Sequence, residues 1–247
     1  MAAFIGGLVA IWIAAGSPLA VMDHQLLSIH MVQHLLLMAI APPFILLGTP
    51  IPALLHGLPQ NFGQAVVGLL QRSASMRRIA SSIGHPVFCW FAGVLTVIAW
   101  HLPSLFALGL HSASWHEVES ASFLVAGLLF WWPVVQPWPS ASQSPAWSVP
   151  LYLFLATLPC DALSAFLTFC DRVVYPAYLS ASHSFHISAL QDQEWAGVLM
   201  WVSITFIYMV PAMVLTVRIL TPSASKPVTL NSKYFPINSV PRRQSGE

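Results

Sequence analysis

Long apolar runs separated by short polar links dominate the chain. A helix needs about 20 apolar residues to cross the hydrocarbon core of a bilayer. By that measure six spans are predicted, at residues 3–21, 26–48, 86–109, 117–136, 148–169 and 195–220. Span two is expected to end at Pro42-Pro43 and Gly48-Thr49-Pro50, span four at Pro133 and Pro137, and span six to kink at Pro211. Residues 51–84 place Leu54, Leu55, Leu58, Phe62, Val66 and Val67 ahead of Arg72, Arg77 and Arg78, which reads as an amphipathic linker or an interfacial helix. The expected fold is an all-α integral membrane bundle of about six helices over 1–220. A Ser-, Pro- and Asn-rich tail over 221–247 reads as disordered and cytoplasmic.

Composition agrees with this pattern. The chain has 247 residues, 57% hydrophobic and 7% charged, against roughly 25% charged in soluble domains. A net charge of +1 gives no reason to expect nucleic acid as a partner. Cys89, Cys160 and Cys170 have neither CxxC nor finger spacing, so no disulfide framework or structural zinc motif is indicated. The start, Met1-Ala2-Ala3-Phe4, lacks the basic region of a signal peptide, and residues 3–21 are read as a retained span.

Basic residues set the expected orientation. Arg72, Arg77 and Arg78 follow span two, and Arg218, Lys226, Lys233, Arg242 and Arg243 lie at or after the end of span six. Six spans place both groups, and both termini, in the cytoplasm. His24, His30, His34, His101, His111, His116, His183 and His186 then map to the outer half, with Asp23, Glu117, Glu119, Asp161, Asp171, Asp192 and Glu194. The orientation used Lys and Arg alone, so this segregation independently predicts an outer polar site.

His30 and His34 head that site. Four residues apart on one helix, they share a face about 6 Å apart along the axis. Ionisable groups at membrane depth are costly and usually meet a partner, a metal or water. His101, His116, Glu119, Asp192 and Met200 are the further candidate metal ligands, drawn from spans three, four and six. Imidazole with thioether or thiol (Met31, Met200, Cys160) suits copper, and imidazole with carboxylate suits zinc or iron. Bis-histidine haem ligation through His34 and His101 is a third chemistry. An isolated transmembrane histidine more often makes a plain hydrogen bond at a helix contact, and His24, His111, His183 and His186 read as wet loop residues. HExxH and GxSxG are absent, and no catalytic residue is assigned.

The string His30-Met31-Val32-Gln33-His34-Leu35-Leu36-Leu37, with Ala41-Pro42-Pro43 and Leu46-Leu47-Gly48-Thr49-Pro50, resembles the signature of the multi-pass CtaG family, assembly factors of caa(3)-type cytochrome c oxidase. Ser17-Pro18-Leu19, Trp100-His101-Leu102-Pro103, residues 123–133, Tyr175-Pro176 and residues 192–201 extend the resemblance over nearly all of 16–220. It implies a non-catalytic protein of the bacterial inner membrane that assists oxidase subunits, binding or delivering copper at the periplasmic face. It departs at Ser120, where the family commonly carries a histidine, and His111 and His116 are the candidate substitutes.

Overall fold

The structure, a computed structural model, describes residues 1–48, 85–135, 145, 147–179 and 187–221. All regular elements among them are helical. The expectations for residues 51–84 and for the tail beyond 221 fall outside the described residues.

The chain opens with α1 (Ala2–Gly16), a short α2 (Leu19–Met22), and α3 (Leu27–Leu35), which passes through a π-helical turn (Leu36–Ile40) into α4 (Ala41–Leu47). There follow α5 (Pro86–Trp100), α6 (Pro103–His111), α7 (Ala113–Val135), α8 (Ser148–Phe169), a 3₁₀ turn (Pro176–Leu179) and α9 (Ala189–Leu220). Among the described residues five stretches are long and apolar enough to cross a membrane: Ala2–Met22, Leu27–Leu47, Ala113–Val135, Ser148–Phe169 and Ala189–Leu220. The α5–α6 pair makes a sixth if its two halves count as one span. Trp12, Phe91, Leu95, Phe154, Leu158, Phe206 and Val210 stand exposed on the protein surface. Only 22% of the most apolar window of α9 is buried within the protein. A bilayer covers such surface at no cost, whereas water would not.

Three expectations are corrected. The run 86–109 is not one straight helix, because α5 and α6 meet at 75°. Pro103 disfavours helical backbone at the residue before it, and Leu102 is extended at φ −67° and ψ 128°. The prolines at 42 and 43 do not end span two, since the helix continues through them to Leu47. They lack N–H groups, so the carbonyls one turn earlier lose their donors. The chain accommodates this as the π turn, where Ala41 N–H bonds Leu36 O. Pro133 likewise lies inside α7, two residues before its described end.

Packing gathers the polar residues at one end. α8 and α9 form the most extensive pair, α7 packs on α4, α5 and α6, and α3 packs on α9. Phe123, Phe130, Leu153, Leu167, Leu37, Ala196 and Tyr208 fill the core between them. The N-terminal parts of α3, α7 and α9 and the C-terminal end of α5 share the same end of the bundle, which carries the site.

Candidate metal centre

His30 and His34 project from successive turns of α3 and are 1% and 6% exposed. Their ring centroids lie 4.2 Å apart. Glu119, in the second turn of α7, is 1% exposed and points between them. Its Oε1 lies 3.5 Å from His30 Nε2 and 3.3 Å from His34 Nε2. One donor atom from each of the three residues lies within 4.8 Å of the others.

The contacts are close, but they lack hydrogen-bond geometry. Among the described residues, neither the nitrogens of the two imidazoles nor the oxygens of Glu119, all buried, have an aligned hydrogen-bond partner. Buried polar atoms normally find partners, and leaving one unsatisfied costs about 1–3 kcal/mol. Among the described residues the carboxylates of Asp23 and Glu119 make ion pairs with histidines and with no lysine or arginine. Two imidazoles and a carboxylate converging without N–H···O alignment offer donors that could hold a cation. The residues present fit a metal ion.

Neighbouring elements hold these side chains in place. Phe106 on α6 packs its ring 5.0 Å from His30, and Phe123 on α7 packs 4.0 Å from His34. His101 ends α5 and is 7% exposed. Its Nδ1 sits 2.7 Å from Val97 O, so Nδ1–H donates to that carbonyl and leaves the buried Nε2 lone pair without a partner. A backbone acceptor on one nitrogen is the usual device for presenting the other to a metal. Tyr175 OH donates to His101 O at 2.9 Å, fixing the backbone where α5 turns into α6. The His101 ring lies 6.4 Å from that of His34.

Beyond His34 the site opens into a cavity of about 30 Å³. Besides His34 and His101 it is lined by Met31, Met38, Met200 and Cys160. Met200 is thus placed beside two candidate imidazoles, among three further sulfur side chains.

Asp192 and His116 have other partners. Asp192 accepts from Leu27 N–H, from Ser28 N–H at 3.2 Å and from Ser28 Oγ–H at 2.6 Å. It supplies the cap that Leu26, at the start of α3, cannot, and so fixes the helix that carries His30 and His34. His116 lies one turn before Glu119, and its Nε2 is 2.9 Å from Asp23 Oδ2 rather than in the first cluster. His111 is exposed and belongs to neither group of converging donors among the described residues.

Two residues weighed only as polar neighbours or loop residues join the second cluster. Asp23, His24 and His116 also bring one donor each within 4.8 Å of the others. Asp23 is fully buried, and its carbonyl accepts from Tyr178 OH at 2.8 Å. Burial pushes the Asp23 carboxyl up, but the contact with His116 and the charges of His24, His116 and His30 outweigh it and hold the carboxyl below its ordinary value. The adjacency of Asp23 and His24, two turns before His30, was the available signal. Only the fold shows that α7 brings His116 to them.

A helical membrane bundle with a buried histidine–carboxylate centre at one end is the class that fold and site define. The sequence model of the cytochrome c oxidase caa3 assembly factors (Caa3_CtaG) matches residues 1–221, and the chain belongs to that family. Uncharacterized proteins of Mycobacterium bovis and Mycobacterium tuberculosis are each 24% identical over 203 residues, covering 81% of this chain and 31% of their own length. One of Mycobacterium leprae is 23% identical over 211 residues with the same coverage. The chain therefore spans less than a third of the curated relatives it matches. No solved structure matches it.

Proposed function

We propose that this protein is a non-catalytic factor in cytochrome c oxidase assembly that holds copper at His30, His34 and Glu119 and passes it to an oxidase subunit. Family membership supports the oxidase. The observation that carries the metal is the convergence of three buried donors whose lone pairs have no hydrogen-bond partner. The thioethers of Met31, Met38 and Met200 and the thiol of Cys160, next to His34 and His101, favour copper over zinc. A cavity of about 30 Å³ leaves no room for a porphyrin, which weighs against haem.

The protein belongs, on this reading, to the bacterial inner membrane, with both termini in the cytoplasm and the centre at the periplasmic side. The described Arg218, at the end of α9 remote from the site, supports that orientation through the excess of basic residues on cytoplasmic ends. A donor there need not carry a charged ion through lipid. His30, His34 and Glu119 supply three protein donors and leave a coordination position through which a recipient's ligand can enter, as exchange requires.

The test is titration of the purified protein with Cu(I) against a competing chelator. One equivalent is expected, with affinity lowered at least about 100-fold in His30→Ala/His34→Ala, beyond what loss of outer partners produces. Unchanged affinity in that variant removes the metal reading. Copurifying oxidase subunits without stoichiometric copper would indicate a metal-free scaffold, and a Soret band would indicate haem.

A further inference from the structure

We propose that Asp23, His24 and His116 form a second metal position, for a divalent cation that prefers nitrogen and oxygen donors, at the mouth of the buried centre. The three come from two separate parts of the chain: the link between α2 and α3 supplies Asp23 and His24, and the first turn of α7 supplies His116. Their donor atoms lie within 4.8 Å of one another. Asp23 Oδ2 is 2.9 Å from His116 Nε2, and Oδ1 is 3.7 Å from His24 Nε2.

A structural ion pair accounts for only part of this. Asp23 is 0% exposed, and while Oδ2 meets His116 Nε2 at 2.9 Å, Oδ1 has no hydrogen-bond partner among the described residues. Oδ1 faces His24 at a distance too long for a hydrogen bond, yet it is sealed from water. A buried carboxylate carries a desolvation penalty that a cation beside it offsets. Tyr178, through its 2.8 Å bond to the Asp23 carbonyl, holds the backbone so that the carboxylate stays aimed at the imidazoles.

The donor chemistry sets this position apart from the cavity. Both groups offer two imidazoles and one carboxylate, but only the first borders the methionines and cysteine of the cavity, so the second position, with no sulfur among its donors, suits zinc or oxidised copper better than Cu(I). Access differs too, since the His24 side chain is 45% exposed while His30 and Glu119 are 1% exposed. The His24 and His116 rings are 5.2 Å apart, and the His116 and His30 rings 6.0 Å apart. An ion held by His24 and His116 is therefore one imidazole away from the centre and in reach of solvent.

Zn(II), which is redox-silent and accepted by both donor sets, is the probe. Equilibrium dialysis of the full chain with metal analysis should give two equivalents. His24→Ala should weaken one of them at least about tenfold and leave the other unchanged. Asp23→Asn should do the same, and because His24 is exposed, His24→Ala tests the site even if Asp23→Asn misfolds. His30→Ala/His34→Ala should remove the complementary equivalent. Two undiminished equivalents in both His24→Ala and a folded Asp23→Asn overturn the second position. So does a single equivalent that vanishes with His30 and His34, a result that leaves the buried centre standing. A single equivalent lost with His24 but kept in His30→Ala/His34→Ala supports the second position and removes the first.

Discussion

Gly109 on α6 lies so close against Glu119 on α7 that a Cβ at Gly109 would collide with Glu119 Oε2. The contact explains how a carboxylate fits beneath the bent α5–α6 arm: the arm gives up a side chain where the carboxylate sits. An alanine in the middle of a helix ordinarily stabilises by roughly 0.5–1 kcal/mol relative to glycine. Here the Glu119 carboxylate, the end of a flexible side chain, must swing aside, so Gly109→Ala should leave stability within about 1 kcal/mol of wild type and weaken metal binding at least about tenfold by moving Glu119. A thermal melt and a chelator titration check the two effects together. A more stable variant with unchanged affinity would show that Glu119 has room to move and is not held in place by α6.

Asp192 offers a sharp distinction between a ligand and a support. Its carboxylate bonds Leu27 N–H, Ser28 N–H and the Ser28 hydroxyl, so it acts on His30 and His34 through the start of α3. Asp192→Ala should cost about 1–2 kcal/mol as a lost helix cap. Metal stoichiometry should be kept while affinity falls. Asp192→Asn, which retains an acceptor, should recover part of both losses. Complete loss of one metal equivalent with an unchanged melting temperature would make Asp192 a ligand instead.

Met200 separates the metals. It lines the cavity with His34, His101, Met31, Met38 and Cys160. Met200→Leu nearly conserves volume and should cost less than about 1.5 kcal/mol in stability. Only the soft donor is removed. Cu(I) affinity should therefore fall while Zn(II) affinity stays the same. An equal loss for both ions would point to a packing effect, and no change for either would leave Met200 as a core residue.

The fold was largely legible because hydropathy is a local property. Each apolar run maps onto a helix within a few residues at most described ends, and the His30–His34 spacing placed both rings on one face. What escaped was non-local or depended on backbone chemistry. Pro103 marks the break after His101, yet the apolar runs on both sides of it concealed the bend. Pro42 and Pro43 read as a helix end, because sequence does not show that a π turn can absorb two missing donors. Asp192 and His116 are expected from sequence as metal ligands, and the structure places both at the site end of the bundle. Their partners, Leu27 and Ser28 for one and Asp23 for the other, are set by how α9 and α7 pack, which no spacing encodes.

That packing has its own critical contact, which predicts how the π turn keeps the centre in register. A Cβ at Gly127 of α7 would stand 2.6 Å from the Met38 carbonyl oxygen and 2.7 Å from Pro42 Cγ. Both belong to rigid parts of the neighbouring helix, one to its backbone and one to a proline ring. Neither can rotate away as the end of a flexible side chain would. Gly127→Ala should therefore cost about 1–3 kcal/mol, and Gly127→Val more, by prising α7 from the π turn. Because α7 also carries His116 and Glu119, the separation should propagate to the centre. Metal affinity in Gly127→Ala should fall although the residue lies more than two helical turns from Glu119 in sequence. The cavity side provides the control: Met38→Leu leaves the backbone contact intact and should keep Zn(II) affinity at the wild-type value. If Gly127→Ala melts at the wild-type temperature and binds Zn(II) as tightly, the approach of α7 to the π turn does not position Glu119.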